Sequence, residues 1–212
     1  MADQYFAEQP TAPSSPVPAR LDVAGLSLTV TTDSGVFSRG RLDTGTRVLL
    51  EHAPEPSGGG DLLDLGCGWG PIALWLATAR RRSTVWAVDV NERALSLVRA
   101  NAEAAGLANV RACRPDEVPE DVVFAGMWSN PPIRAGKAAL HELLTQWLPR
   151  VDGPSYLVIA KNLGSDSLAR WLGDQGYSVS RLSSNAGFRV LEVGRTAAGD
   201  GAQRSSTVDG EE

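Results

Sequence analysis

The feature that most constrains this chain is the alternation of short apolar runs with helical segments. Runs at 62–65, 85–88, 122–127 and 156–160, with a weaker one at 110–113, are separated by helical stretches at 71–79, 92–105, 137–148 and 165–174. Each run is as short as a strand buried on both faces of a parallel sheet. The alternation predicts an α/β fold, a doubly wound, mostly parallel seven-stranded sheet of Rossmann-like type with right-handed crossovers. Two runs, at 179–182 and 188–193, close the sheet as a final pair. A strand at 26–32, bounded by Gly25 and a DSG turn, forms an N-terminal β extension, and a short helix over 44–53 follows the capping candidates Asp43 and Thr44.

With 212 residues the chain is long enough for one well-cored domain and too short for two of ordinary size. Residues 1–20, rich in Pro, Ala and Ser, read as a flexible N-terminal arm that Tyr5 and Phe6 could dock, and 21–196 as the folded domain. Residues 197–212 read as a disordered acidic tail. No apolar stretch approaches the roughly 20 residues that a bilayer span needs, and the N-terminus lacks the basic start and apolar core of a signal peptide, so a cytoplasmic protein without membrane contact is expected. Cys67 and Cys113 are then expected as reduced thiols, and two His with two Cys show no metal-ligand spacing. A net charge of -5 and a pI near 5.1 argue against a broad basic nucleic-acid surface, although a local basic patch remains open.

In DLLDLGCGWGPIALWLA (61–77) a strand runs into a glycine loop and then a helix, with Pro71 suited to the first helical position. Gly66, Gly68 and Gly70 let a ligand lie against bare main chain. A dinucleotide fingerprint wants its third glycine one residue later, where Pro71 stands, so a nicotinamide oxidoreductase is disfavoured. Asp64, two residues before the first glycine, would repel a pyrophosphate and suits a cationic amine. Asp89, at the end of the next strand with Val90 beside it, can take both hydroxyls of a ribose. Two acids around such a loop describe S-adenosyl-L-methionine, its carboxylate near the amino end of the Pro71 helix. Cys67 reads as a small loop residue of that seat. Asp116 has two readings, a partner of the adenine amine or a solvated turn acid.

SNPP (129–132) ends the fourth run, facing the glycine loop across the switch-point crevice. The two prolines hold Asn130 and Pro131 extended, so the Asn130 side-chain oxygen and the Pro131 carbonyl can point one way, with Pro132 stiffening the turn. Two fixed acceptors suit one planar NH2 group. Accepting both its protons orients the nitrogen lone pair toward an electrophilic methyl and stabilises the charge that grows there. No histidine is required, and His52 and His141 lie outside any motif.

At SGVFSRGRLDTGTRVLL (34–50), DLGCGWGPI (64–72), AVDVNERAL (87–95) and SNPPIRAGK (129–137) the chain resembles class I S-adenosylmethionine-dependent methyltransferases of the small-domain type. It is most similar to the ribosomal RNA small-subunit guanine methyltransferase C family. The resemblance implies methyl transfer to the exocyclic amine of guanine, with ribosomal RNA or the assembling small ribosomal subunit as partner. It also implies that Asp64, Gly66, Gly68 and Asp89 bind cofactor, and that Asn130 and Pro131 hold the amine. Ile133 stands where an aromatic often follows the prolines, which leaves Phe37 as either the stacking surface for a flipped base or a core anchor of its loop. Arg39, Arg41, Arg134, Lys137 and Lys161 are candidates for a phosphate-binding rim. Transfer to adenine N6 or to a protein glutamine, and a non-catalytic cofactor-binding assembly factor, are the rival readings.

Overall fold

The computed structural model describes residues 10–132 and 136–196. Seven strands form one sheet: β3 (Asp61–Leu65), β4 (Val85–Val88), β5 (Val110–Cys113), β6 (Phe124–Ser129), β7 (Ser155–Ala160), β8 (Tyr177–Asn185) and β9 (Phe188–Arg195), in the order β5-β4-β3-β6-β7-β9-β8. β3 to β7 pair in parallel, while β9 is antiparallel to both β7 and β8. The order reverses between β3 and β6. Their carboxyl ends therefore diverge into the crevice where such sheets bind ligands.

Helices α1 (Thr44–His52), α2 (Pro71–Ala79) and α3 (Glu92–Ala104) cover one face, and α4 (Lys137–Trp147) and α5 (Ser165–Asp174) the other. Alternate strand residues feed the two layers. Leu62, Trp128 and Val158 pack with the first set of helices, and Leu63, Met127 and Leu157 with the second. The expected fold is the observed one, with shifted boundaries. β6 runs to Ser129 and starts two residues later than the apolar run, because Val123 is exposed.

The arm expected over 1–20 is corrected where the structure describes it. β1 (Val17–Val23) pairs with β2 (Leu26–Thr32) through a tight turn in which Ala24 and Gly25 both take positive φ. Ala19, Leu21 and Val23 are buried at every second position, so the segment contributes one apolar face to the core. Ahead of it, the Ser14 hydroxyl and the Ser15 N–H donate to Asp33, and Arg93 on α3 donates to the carbonyls of Ala12 and Ser34. Tyr5, Phe6 and the tail from 197 lie outside the described residues.

Two buried asparagines on the α3 segment join this hairpin and the loop that follows it to the sheet domain. Asn101, 3% exposed, accepts from Thr31 N–H at 2.8 Å and donates to the carbonyls of Thr31 and Trp69 at 3.0 and 3.1 Å. Asn91 caps α3 by accepting from the N–H groups of Arg93 and Ala94, and its amide donates to Gly35 O at 2.8 Å. Full pairing is what keeps such amides from destabilising a core.

Candidate active site

The turn after β3 is built from backbone. Gly66 N–H and Cys67 N–H both donate to Val88 O, at 2.8 and 3.1 Å, and Gly70 N–H donates to Cys67 O. Gly66 has φ 76°, and a Cβ there would lie 3.8 Å from Pro132 Cδ and 3.9 Å from Asn130 O, so the bend faces the Asn-Pro-Pro segment across a narrow gap. At Gly68 a Cβ would meet nothing within 4 Å, so this part of the turn is bare and open. A cleft of about 320 Å³, part of it open to solvent, runs between Phe37, Asp43, Thr46, Gly66, Trp69 and Asn130.

Asp64 is fully buried under the turn. Its Oδ2 accepts from Ala73 N–H, in the first turn of α2, at 2.9 Å, while Oδ1 has no partner among the described residues. Burial pushes this carboxyl well above the usual range; Ala73 partly offsets it, and the Asp89 charge adds to it. Asp89 accepts from Gly68 N–H at 2.9 Å and from Asn91 N–H at 3.0 Å, so both its oxygens are fixed between the glycine turn and α3. Burial raises its pKa too, against those hydrogen bonds. The buried Cys67 thiol is pushed up by desolvation, then by the Asp89 and Asp64 charges, which removes it as a nucleophile.

Asn130 follows β6, and its anchoring is explicit. The Ser129 hydroxyl donates to Leu65 O at 2.6 Å, tying the end of β6 to the base of the glycine turn. The Asn130 Nδ2 donates to Asp43 Oδ2 and to Thr46 Oγ1, each at 2.9 Å. Pro131 is buried and Pro132 half-buried. Phe37 is 39% exposed where it lines the cleft, while its neighbour Val36 is buried.

Other expected residues lie elsewhere. Asp116 occupies a short 3-10 turn after β5, 77% exposed and paired with Arg114, as a solvated turn acid would be. Val90 O accepts from the same arginine. Lys137 lines a second cavity of about 570 Å³, part of it open to solvent, with Leu140, His141 and Leu168, on the α4–α5 face of the sheet. His141 stacks on Trp171 at 3.8 Å. Arg39 is held by the Ser15 carbonyl and hydroxyl, so a fully free guanidinium is not what it offers to a rim, whereas Lys161 stands exposed. Ile133 and Arg134 lie outside the described residues. Thr46, Ser129 and the second contact of Asp43 were not foreseen. Asp43 carried a visible capping signal, but its reach to Asn130 spans 87 residues of chain and left no local trace.

The Methyltransferase small domain family matches residues 27–192. The uncharacterized protein YbxB of Bacillus subtilis is 34% identical over 198 residues, which cover 91% of this chain and 98% of YbxB. A ribosomal RNA small subunit methyltransferase C of Shewanella piezotolerans is 35% identical over 158 residues, covering 71% of this chain and 46% of the relative. Among solved structures, the T. thermophilus 16S rRNA methyltransferase RsmC, in complex with AdoMet and guanosine, superposes with a TM-score of 0.72 at 25% identity, covering 88% of this chain and 52% of that one. The chain thus spans nearly all of YbxB and about half the length of the methyltransferase C relatives.

Proposed function

This chain belongs to the methyltransferase small domain family, and on that premise we propose that it methylates the exocyclic amine of a guanine in small-subunit ribosomal RNA, using S-adenosyl-L-methionine. The cofactor, when bound, supplies an electrophilic methyl group on a sulfonium. The residues present fit it. Gly68 offers open main chain, Asp64 carries a buried oxygen without a partner among the described residues, and Asp89 is locked at the strand end where ribose hydroxyls are taken. The positive end of α2 suits the carboxylate of a methionyl group.

The catalytic role rests on Asn130 with Pro131. With its Nδ2 tied back to α1, the Asn130 side chain is left to accept through Oδ1, and the Pro131 carbonyl is the second acceptor assigned to the amine. Two acceptors on one NH2 group hold its lone pair in line with the methyl and stabilise the charge growing on nitrogen. In such a transfer the amine nitrogen held by Asn130 and Pro131 would take the methyl group from the sulfonium, leaving a neutral thioether, and the proton that the methylated amine must lose would pass to solvent. No general base enters this step. The half-exposed Phe37 offers a ring to the base once it leaves its stack.

The observation that carries the reading is the confrontation of Asn130 with the bare Gly66 turn across one cleft. The test is transfer of labelled methyl to small-subunit RNA and to small-subunit particles from cells lacking this protein. Asn130→Ala should slow transfer by about 100-fold or more while leaving cofactor affinity intact. Label on adenine or on a protein glutamine would move the acceptor. An Asn130→Ala rate equal to wild type would end the catalytic assignment.

A further inference from the structure

We propose that Asp43 and Thr46 are positioning residues for methyl transfer: they fix and polarise the Asn130 amide so that its oxygen, never its nitrogen, meets the substrate amine. The proposal rests on the functional reading above and deepens it.

A carboxylate can only accept a hydrogen bond, so the atom of Asn130 that faces Asp43 Oδ2 at 2.9 Å must be the NH2 nitrogen. The second proton of that nitrogen is taken by Thr46 Oγ1, also at 2.9 Å. With both N–H groups engaged on one side, the amide cannot flip without facing its oxygen toward a carboxylate. Among the described residues nothing donates to Oδ1, and Asn130 lines the cleft opposite Gly66. An unanchored asparagine would present oxygen or nitrogen about equally, and the nitrogen would repel a donor substrate. The negative charge behind the NH2 group adds a second effect, since a charge-assisted bond draws electron density onto the amide oxygen and makes it the stronger acceptor.

The short sequence Asp43-Thr44-Gly45-Thr46 acquires a rationale residue by residue. Asp43 Oδ2 also accepts from Thr46 N–H at 3.0 Å, capping α1, so one oxygen serves the helix and the asparagine. Gly45 admits the Phe188 ring of β9, because a Cβ there would lie 2.9 Å from Phe188 Cε1. Thr46 supplies the hydroxyl. Helix α1 is thereby wedged between β9 and the catalytic asparagine, a rigid mount of the kind that positioned acceptors need.

The bland alternative is that Asp43 only caps α1. Asp43→Ser separates the two, because serine caps a helix about as well as aspartate but its hydroxyl stands one bond closer to the backbone and does not reach Asn130. Asp43→Asn keeps an oxygen for both contacts and loses the charge. Thr46→Val keeps the shape and loses one acceptor. The expected order of kcat on small-subunit particles is wild type, then Asp43→Asn, then Asp43→Ser, the last about 10- to 100-fold down. Cofactor affinity should be unchanged and Tm within about 2 °C for Asp43→Ser. Side-chain 15N NMR reads the same point without any substrate: the Asn130 NH2 protons should exchange slowly in wild type and quickly in Asp43→Ser. A wild-type kcat in Asp43→Ser, or an unprotected Asn130 amide in the wild-type protein, overturns the proposal. Protected amide protons with no methyl transferred to RNA or particles would uphold the positioning and reject the acceptor assigned above.

Discussion

Phe37→Ala is expected to weaken RNA engagement without weakening the fold. The loop that carries Phe37 is fixed at both ends: Gly35 O accepts from Asn91, Gly40 N–H donates to Thr32 Oγ1 at 2.8 Å, and Val36 is buried. The ring itself is 39% exposed, so of the roughly 200 Å² that a phenylalanine offers, about 80 Å² remains to be covered by a ligand. At about 25 cal/mol per Å², covering it is worth about 2 kcal/mol, inside the range of about 1 to 3 kcal/mol for stacking one base on an aromatic. That corresponds to about 30-fold in affinity. Single-turnover transfer at varied RNA or particle concentration should therefore show half-saturation raised by about that factor, with cofactor affinity and Tm nearly unchanged. Phe37→Tyr should restore most of the loss and Phe37→Leu only part. Half-saturation unchanged in Phe37→Ala, or a drop in Tm that explains the deficit, would refute the stacking role.

Asp64→Asn tests the buried carboxyl. Burial holds Asp64 above its unperturbed 3.8, so as pH climbs past that value the folded chain binds more protons than the unfolded one, and stability falls until the raised pKa is passed. The substitution keeps an oxygen for the Ala73 N–H and should flatten that fall in thermal melts taken across the acid-to-neutral range; a profile parallel to wild type would count against it. Asn101→Leu should lower stability by about 3 kcal/mol in urea denaturation, because it leaves Thr31 N–H and the carbonyls of Thr31 and Trp69 without partners. A loss under about 1 kcal/mol would mean that solvent or relaxation replaces those bonds.

What could be read from the sequence follows physical range. β3, β4, β6 and β7 were visible because strands buried on both faces leave uninterrupted apolar runs. The glycine turn and Asp89 were visible because their spacing is local chemistry. β1 was hidden by Pro18, Arg20 and Asp22 on its outer face, although Ala19, Leu21 and Val23 keep the period of two on its inner face. The β8 strand was read too short, since its edge position leaves it largely exposed and free of a strong apolar signal. Asp43, Asn91 and Asn101 each join segments far apart in sequence. A capping residue looks the same in the sequence whether or not its carboxylate also holds a second side chain.

The contact of Gly45 with Phe188 bears on the order in which the molecule matures. One wall of the crevice is synthesised early and its buttress more than a hundred residues later. Until the last hairpin docks, α1 lacks its backstop and Asn130 its firm mount. A nascent chain thus carries its glycine turn well before it carries the strand that backs α1. The support behind α1 is therefore among the last parts of the domain to be made.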